Sequence, residues 1–118
     1  MFYQEQGFTL IELLIVISII GLLIAVLVPT ILGAQSRAYD ASALGCANEI
    51  KSKQAMYLID QNVYAKVGDL KNIYAIACND GVTISQISSP SATSYAIEVK
   101  HVNGTKTYII RNVGLSSS

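Results

Sequence analysis

Charge is scarce in this chain: Asp, Glu, Lys and Arg make up 14% of its 118 residues, and the 8 basic and 8 acidic side chains cancel. That balance offers no pull on nucleic acid or an anionic surface, so DNA as a partner is unsupported by composition. Histidine is rarer still. His101 stands alone, and no histidine pair, Ser/His/Asp set or zinc site can be assembled around it. A calcium loop is missing too, because Asn79-Asp80-Gly81 lacks the alternating acids such a loop needs and reads as a plain turn. No cofactor or metal is implied, and no enzymatic reading finds its residues. The two cysteines, Cys46 and Cys78, leave Gly114 to Ser118 without one. Length sets a further limit, since a chain of this size holds one membrane helix and one small domain of about 80 residues.

What is abundant is apolar surface, at 52% of residues. From Phe8 to Val28 the chain reads FTLIELLIVISIIGLLIAVLV, with Glu12 its only charge. As a helix this run spans roughly 30 Å, the thickness of a bilayer core. A secretory signal has a basic segment, a shorter apolar core and then its cleavage site. Here the order is inverted, with the candidate site, Gly7, before the run. The preceding Met1-Phe2-Tyr3-Gln4-Glu5-Gln6 has no basic side chain, so the positive-inside signal is missing.

Glu12 has two explanations. It sits at headgroup depth in water, or it is kept for a partner, since an acid inside a membrane helix is costly unless something meets it. Cleavage after Gly7 would create such a partner, the α-amine of Phe8, on the same chain or a neighbour. A pair of that kind says little about stability but fixes register.

The segment GFTLIELLIVISIIGLLIAVLVP resembles the N-terminal signature of type IV pilins and the related pseudopilins. The resemblance covers about the first quarter of the chain. It implies that a prepilin peptidase cuts between Gly7 and Phe8 and N-methylates Phe8. It also implies that Glu12 neutralises the N-terminus of an adjacent subunit during assembly. Gly21 and Pro29 fall where the family carries helix breakers, and the segment between them can lose helical order in the filament. The residues agree with that role, since Pro29 removes a backbone donor and Gly21 weakens a helix by up to about 1 kcal/mol relative to Ala. The lack of a base in the leader departs from the family pattern.

Beyond Pro29 the pattern turns amphipathic. Tyr39, Ala43, Cys46, Ile50 and Tyr57 recur at helical steps, with a less apolar turn near Gln54, while Arg37, Asp40, Lys51 and Lys53 fall off the stripe. One long helix is expected from about Phe8 to Ile59. Its small residues, Gly33, Ala34, Ala38, Ala41 and Gly45, either let neighbouring helices approach or are simply good helix formers and gaps. Asp60-Gln61-Asn62 ends the pattern, and a loop to about Asn79 follows, with one short helical turn near Asp69 to Ile73. Strand chemistry then occupies Val82 to Ile87, Ser94 to Val102 and Lys106 to Val113. The last two flank Asn103-Gly104, which predicts a two-residue hairpin with a type I′ turn. Asn103-Gly104-Thr105 also matches an N-glycosylation pattern that hairpin chemistry already explains, and Ser85 to Ser94 reads as a solvated loop. The expected architecture is α+β and pilin-like: a long helix packed on an antiparallel sheet of three or four strands through Tyr95, Ile97, Val99, Tyr108 and Ile110. Its divisions are a leader over 1–7, a membrane or filament-core helix over 8–29 and an extracytoplasmic head over 30–118.

Cys46 and Cys78 are either a bridge from the helix to the start of the sheet, in an oxidising compartment, or two buried thiols. Many pilins instead close a loop near the C-terminus, whereas a bridge placed as here is more like some competence pseudopilins.

Function then divides into two classes. The first is a structural subunit of a type IV pilus, inserted in the inner membrane and polymerising with itself into a surface filament for twitching motility, adhesion or DNA uptake. The implied partners are a prepilin peptidase, a platform protein with its motor ATPase, minor pilins, and lipid before assembly. A pseudopilin of a competence or secretion system is its close variant. The other class is a monomeric membrane-anchored binding domain, which leaves Glu12 unexplained. On the filament reading, Glu12→Ala is processed and inserted normally but fails to assemble or assembles poorly, and Gly7→Ala or a bulkier residue blocks processing.

Overall fold

The computed structural model describes residues 6–74, 76 and 78–118. The first five leader residues, where a basic charge is missing, lie outside the described residues. The chain divides into two compact units, Met1–Ala34 and Gln35–Ser118. One helix, α1 (Leu10–Gln61), contributes to both.

The first unit is helix without a core. From Gln6 to Ala34 every residue is exposed, including the whole apolar run. The segment from Gly21 to Pro29 is α-helical throughout. Two hydroxyls of this helix, one inside the run and one just past it, are satisfied within the helix: the Ser18 hydroxyl donates to Leu14 O at 2.7 Å and that of Thr30 to Leu27 O at 2.7 Å. Such back-bonding lets Ser and Thr sit in an apolar medium without an unpaired hydroxyl.

The second unit has a conventional core. α1 buries Ala43, Cys46, Ala47 and Ile50 against Tyr95, Ile97, Val99, Tyr108 and Ile110 of the sheet, the two faces expected from their spacing. Tyr39 and Tyr57, placed on the same stripe, are half-buried. The helix stops where Asn62 adopts a left-handed conformation, φ 58°, and its N–H donates to Leu58 O at 2.8 Å. Asn accepts that conformation more readily than most residues, which makes it a natural helix terminator.

A second helix, α2 (Val67–Tyr74), replaces the short turn expected near Asp69, with Leu70 buried beneath it. Four strands follow: β1 (Val82–Ser88), β2 (Ala96–His101), β3 (Thr107–Arg111) and β4 (Gly114–Ser117). They form an antiparallel sheet in the order β1-β2-β3-β4. Strand β4 is unannounced by its Gly-Leu-Ser-Ser composition. It exists because β3 supplies a partner edge, with Leu115 opposite Ile110 and Ser118 exchanging two 3.0 Å backbone bonds with Thr107.

The expected type I′ turn at Asn103-Gly104 is not formed. Among the described residues, positive φ occurs at Asn62, Gly81 and Gly114 only, and five residues, 102–106, separate β2 from β3. The cause is Asp40. Placed off the buried stripe by periodicity, it is instead buried and captures the loop. Its carboxylate accepts from the Thr105 N–H at 2.8 Å, the Thr105 hydroxyl at 2.7 Å and the Lys106 N–H at 2.9 Å. Three charge-assisted bonds outweigh the local preference of an Asn-Gly pair. Gly104 is required by the same contact, since an added Cβ would lie 2.6 Å from Asp40 Oδ1.

Candidate assembly site

Four residues at the head of α1 build the first part of the site. Gly7 is exposed, and a Cβ added there meets nothing within 4 Å. Nothing within the chain demands glycine at that position. Phe8 is 90% exposed. Next to it, Thr9 and Glu12 bond reciprocally: the Thr9 N–H donates to Glu12 Oε2 at 2.8 Å, and the Glu12 N–H donates to Thr9 Oγ1 at 3.3 Å. This is a capping box, in which two of the otherwise unsatisfied N–H groups at a helix start find side-chain acceptors.

Glu12 therefore has a local role that its charge alone did not reveal. The signal was present in Thr9-Leu-Ile-Glu12, the Thr-x-x-Glu spacing ahead of an apolar run. The capping bond holds the carboxylate beside the backbone of Thr9, one residue from Phe8. A carboxylate has room for several donors, so the group can still accept from a second one.

The second unit, the head, is braced by its own contacts. Cys46 on α1 and Cys78 just ahead of β1 are joined in a disulfide, with Cα atoms 5.3 Å apart. Near it the Asn79 side-chain amide donates to Ser42 Oγ at 3.3 Å. His101 is a structural residue. Its Nδ1 accepts the Asn103 N–H at 3.0 Å, which leaves Nε2 to donate to Asp80 O at 3.1 Å, and its ring stacks on Tyr39 with centroids 4.4 Å apart. Gly81, at φ 85°, completes the turn into β1, and a side chain there would run into the His101 ring. The Thr105 hydroxyl and Lys106 N–H at Asp40 hold its carboxyl below the usual aspartate range.

Gln54 is the functional support that residue patterns missed. Fully buried at 0% exposure, it donates through Nε2 to Ala65 O and accepts the Ala65 N–H on Oε1, both at 2.8 Å. A glutamine in the less apolar turn of the stripe thus pins the loop after α1 to the helix. Beside it, the Tyr74 hydroxyl donates to Asp60 at 3.2 Å, and Lys53 lies over the Tyr74 ring at 5.6 Å. Among the described residues no group of three or more His, Cys, Asp or Glu could hold a metal.

Residues 3–28 match the prokaryotic N-terminal methylation motif. Over 103 residues the chain is 43% identical to the type IV wide pilus major component PilA4 of Thermus thermophilus, covering 86% of this chain and 78% of that protein. The chain belongs to the type IV pilin family. It is a structural pilin subunit with an α+β pilin fold, and its apolar helix is of the kind that anchors such subunits. This pilin is also 34% identical to the type IV major pilin PilE of Neisseria gonorrhoeae over 104 residues, 87% of this chain but 54% of PilE. To the type II secretion system core protein G of Pectobacterium carotovorum it is 36% identical over 62 residues, 52% of this chain and 40% of that protein.

Proposed function

We propose that this pilin is made as a precursor, cut between Gly7 and Phe8 by a prepilin peptidase and N-methylated at Phe8. The mature chain then waits in the inner membrane through residues 8–29, with the head, residues 30–118, outside. A platform protein and motor ATPase draw it into a helical homopolymer that reaches the cell surface, with minor pilins among the partners. The fibre serves motility, adhesion or DNA uptake. The observation that carries this reading is the exposure of every side chain from Gln6 to Ala34. Apolar surface of that extent needs lipid or other copies of itself, and a bilayer followed by a fibre core supplies them in turn.

Glu12 has two tasks in this scheme, the helix cap and the attraction to a Phe8 α-amine. Glu12→Gln separates them. Gln keeps an acceptor for the Thr9 N–H, as capping boxes allow, but lacks the charge. Processed Glu12→Gln protein that yields no fibres supports the charge role, whereas normal fibres would reduce Glu12 to a cap. The reading as a whole is tested on protein sheared from the cell surface, by its N-terminal residue, its mass and electron microscopy. Fibres whose subunit begins at methylated Phe8 are expected. A chain that still begins at Met1 sinks the proposal. The likeness to the secretion core protein over half the chain supports a second reading, a pseudopilin, for which the processed chain stays in the membrane without surface fibres.

A further inference from the structure

One flank of the head carries donors without acceptors. Lys51 and Ala55 of α1, Ile59 one turn on, Tyr64, Tyr95 and Arg111 line a cavity of about 280 Å³, at the small end of sites that take free ligands. Its floor is apolar, with Ile59 largely exposed. Tyr64 and Tyr95 meet at a tilt, ring centroids 4.6 Å apart. Tyr95 is only 4% exposed; its hydroxyl has no hydrogen-bond partner among the described residues and is open to solvent. Lys51 and Arg111 have none either, the one ion pair among the described residues being Lys100 with Glu98. A solvent-reaching phenol and two exposed cations around an apolar lining suit an occupant that brings a carboxylate beside an aliphatic side chain.

The head itself carries such a group elsewhere. Asp40 is committed to the Thr105 loop, Asp60 accepts from Tyr74, and Glu98 is paired with Lys100. Glu49 lines a different cavity, beside the disulfide, and Asp80 lies in the tight turn before β1. Asp69 differs. It sits in the first turn of α2 with no partner among the described residues, and Ile73, one helical turn further on and so on the same face, is 58% exposed. Leu70, between them in sequence, faces the core.

The two patches lie on opposite flanks. α2 packs beside β1, on the side of α1 marked by Lys53 and Asp60. The cavity lies on the side marked by Lys51 and Ala55, near the turn that links β3 to β4. Two different, complementary patches on opposite flanks of one subunit are what a heterologous, open-ended contact needs. We infer that the Lys51, Tyr95 and Arg111 cavity receives the Asp69 and Ile73 face of α2 from a second copy of this chain, as a head-to-head contact between neighbouring subunits.

This contact rests on the filament reading, and the experiment keeps the two apart. Full-length protein is followed in its own cells as three variants beside the wild type: Lys51→Glu with Arg111→Glu, Asp69→Lys, and all three changes together. Sheared fibre is quantified against total chain carrying the Cys46 to Cys78 bond, which reports a folded head. Reversal on either side alone is expected to cut fibre yield about tenfold at unchanged chain level, and the combined swap to bring it back to within about threefold of wild type. Fibres at wild-type yield from either single-side variant, or a combined swap no better than its parents, overturn the contact while leaving the filament standing. A wild type without fibres removes the filament and the contact together.

Discussion

Replacing Gln54 with Leu should unfold the head far more readily than any change of similar size on its surface. Leu conserves most of the volume, so no cavity opens, but it leaves the Ala65 N–H and C=O unpaired in a place where Gln54 is wholly buried. Each unsatisfied buried backbone group costs about 1–3 kcal/mol. With two such groups, and a loop that can shift enough to admit some water, the loss comes to about 2–4 kcal/mol. Small domains have only about 5–15 kcal/mol in hand. At about 4–8 °C per kcal/mol for a domain of this size, the midpoint should fall by roughly 10–25 °C. The assay is thermal unfolding of the full chain in detergent, followed by near-ultraviolet circular dichroism of the head tyrosines with the disulfide intact. A Gln54→Leu protein within about 0.5 kcal/mol of wild type, the range of neutral surface changes, would refute the claim that this pairing holds the loop to α1.

The disulfide closes a loop with a sequence separation of 32, so Cys46→Ser with Cys78→Ser should cost roughly 3–4 kcal/mol in the chain-entropy treatment, read by urea unfolding against the oxidised wild type. Asp40 has its pKa held below the ordinary 3.8. Its carboxylate therefore contributes stability above that value, and the contribution fades as pH falls through the lower native pKa. Asp40→Asn should flatten the acid limb of a stability-against-pH curve, and an unchanged limb would count against the clamp. Tyr95 runs the other way. Burial pushes its phenol up to about 12 from 10.0, so stability should be intact below pH 10 and decline between 10 and 12. Tyr95→Phe should remove that part of the alkaline loss in unfolding curves.

The layout was largely legible because the strongest signals were long. The apolar run and the stripe through Ala43, Cys46 and Ile50 specified α1 to within two residues at either end, and alternation in Tyr95 to Val99 and Tyr108 to Ile110 specified the buried sheet face. What escaped depended on contacts distant in sequence. Asp40 reads as a solvent-facing residue until a loop 65 residues on brings it three donors. The same contact overrode the local preference of Asn103-Gly104 for a tight hairpin. β4 lacks β-branched residues and owes its existence to the free edge of β3. Gln54 was visible only as a weak turn in an apolar stripe. At the assembly site the opposite occurred: Glu12 drew notice for its charge, and its shorter-range work with Thr9 was overlooked though its spacing was in plain view.

A helix whose apolar side chains from Leu10 to Leu32 are all exposed is poorly placed in water, yet it is indifferent to which apolar neighbours surround it. Lipid tails and the helices of sister subunits are nearly equivalent company, so moving between them involves little hydrophobic free energy either way. On the proposed filament reading, the membrane then acts as a reservoir in near balance with the fibre. On that reading direction is left to the few polar contacts and to external work, and a fibre so made could be returned to the bilayer subunit by subunit, each head still folded behind its disulfide.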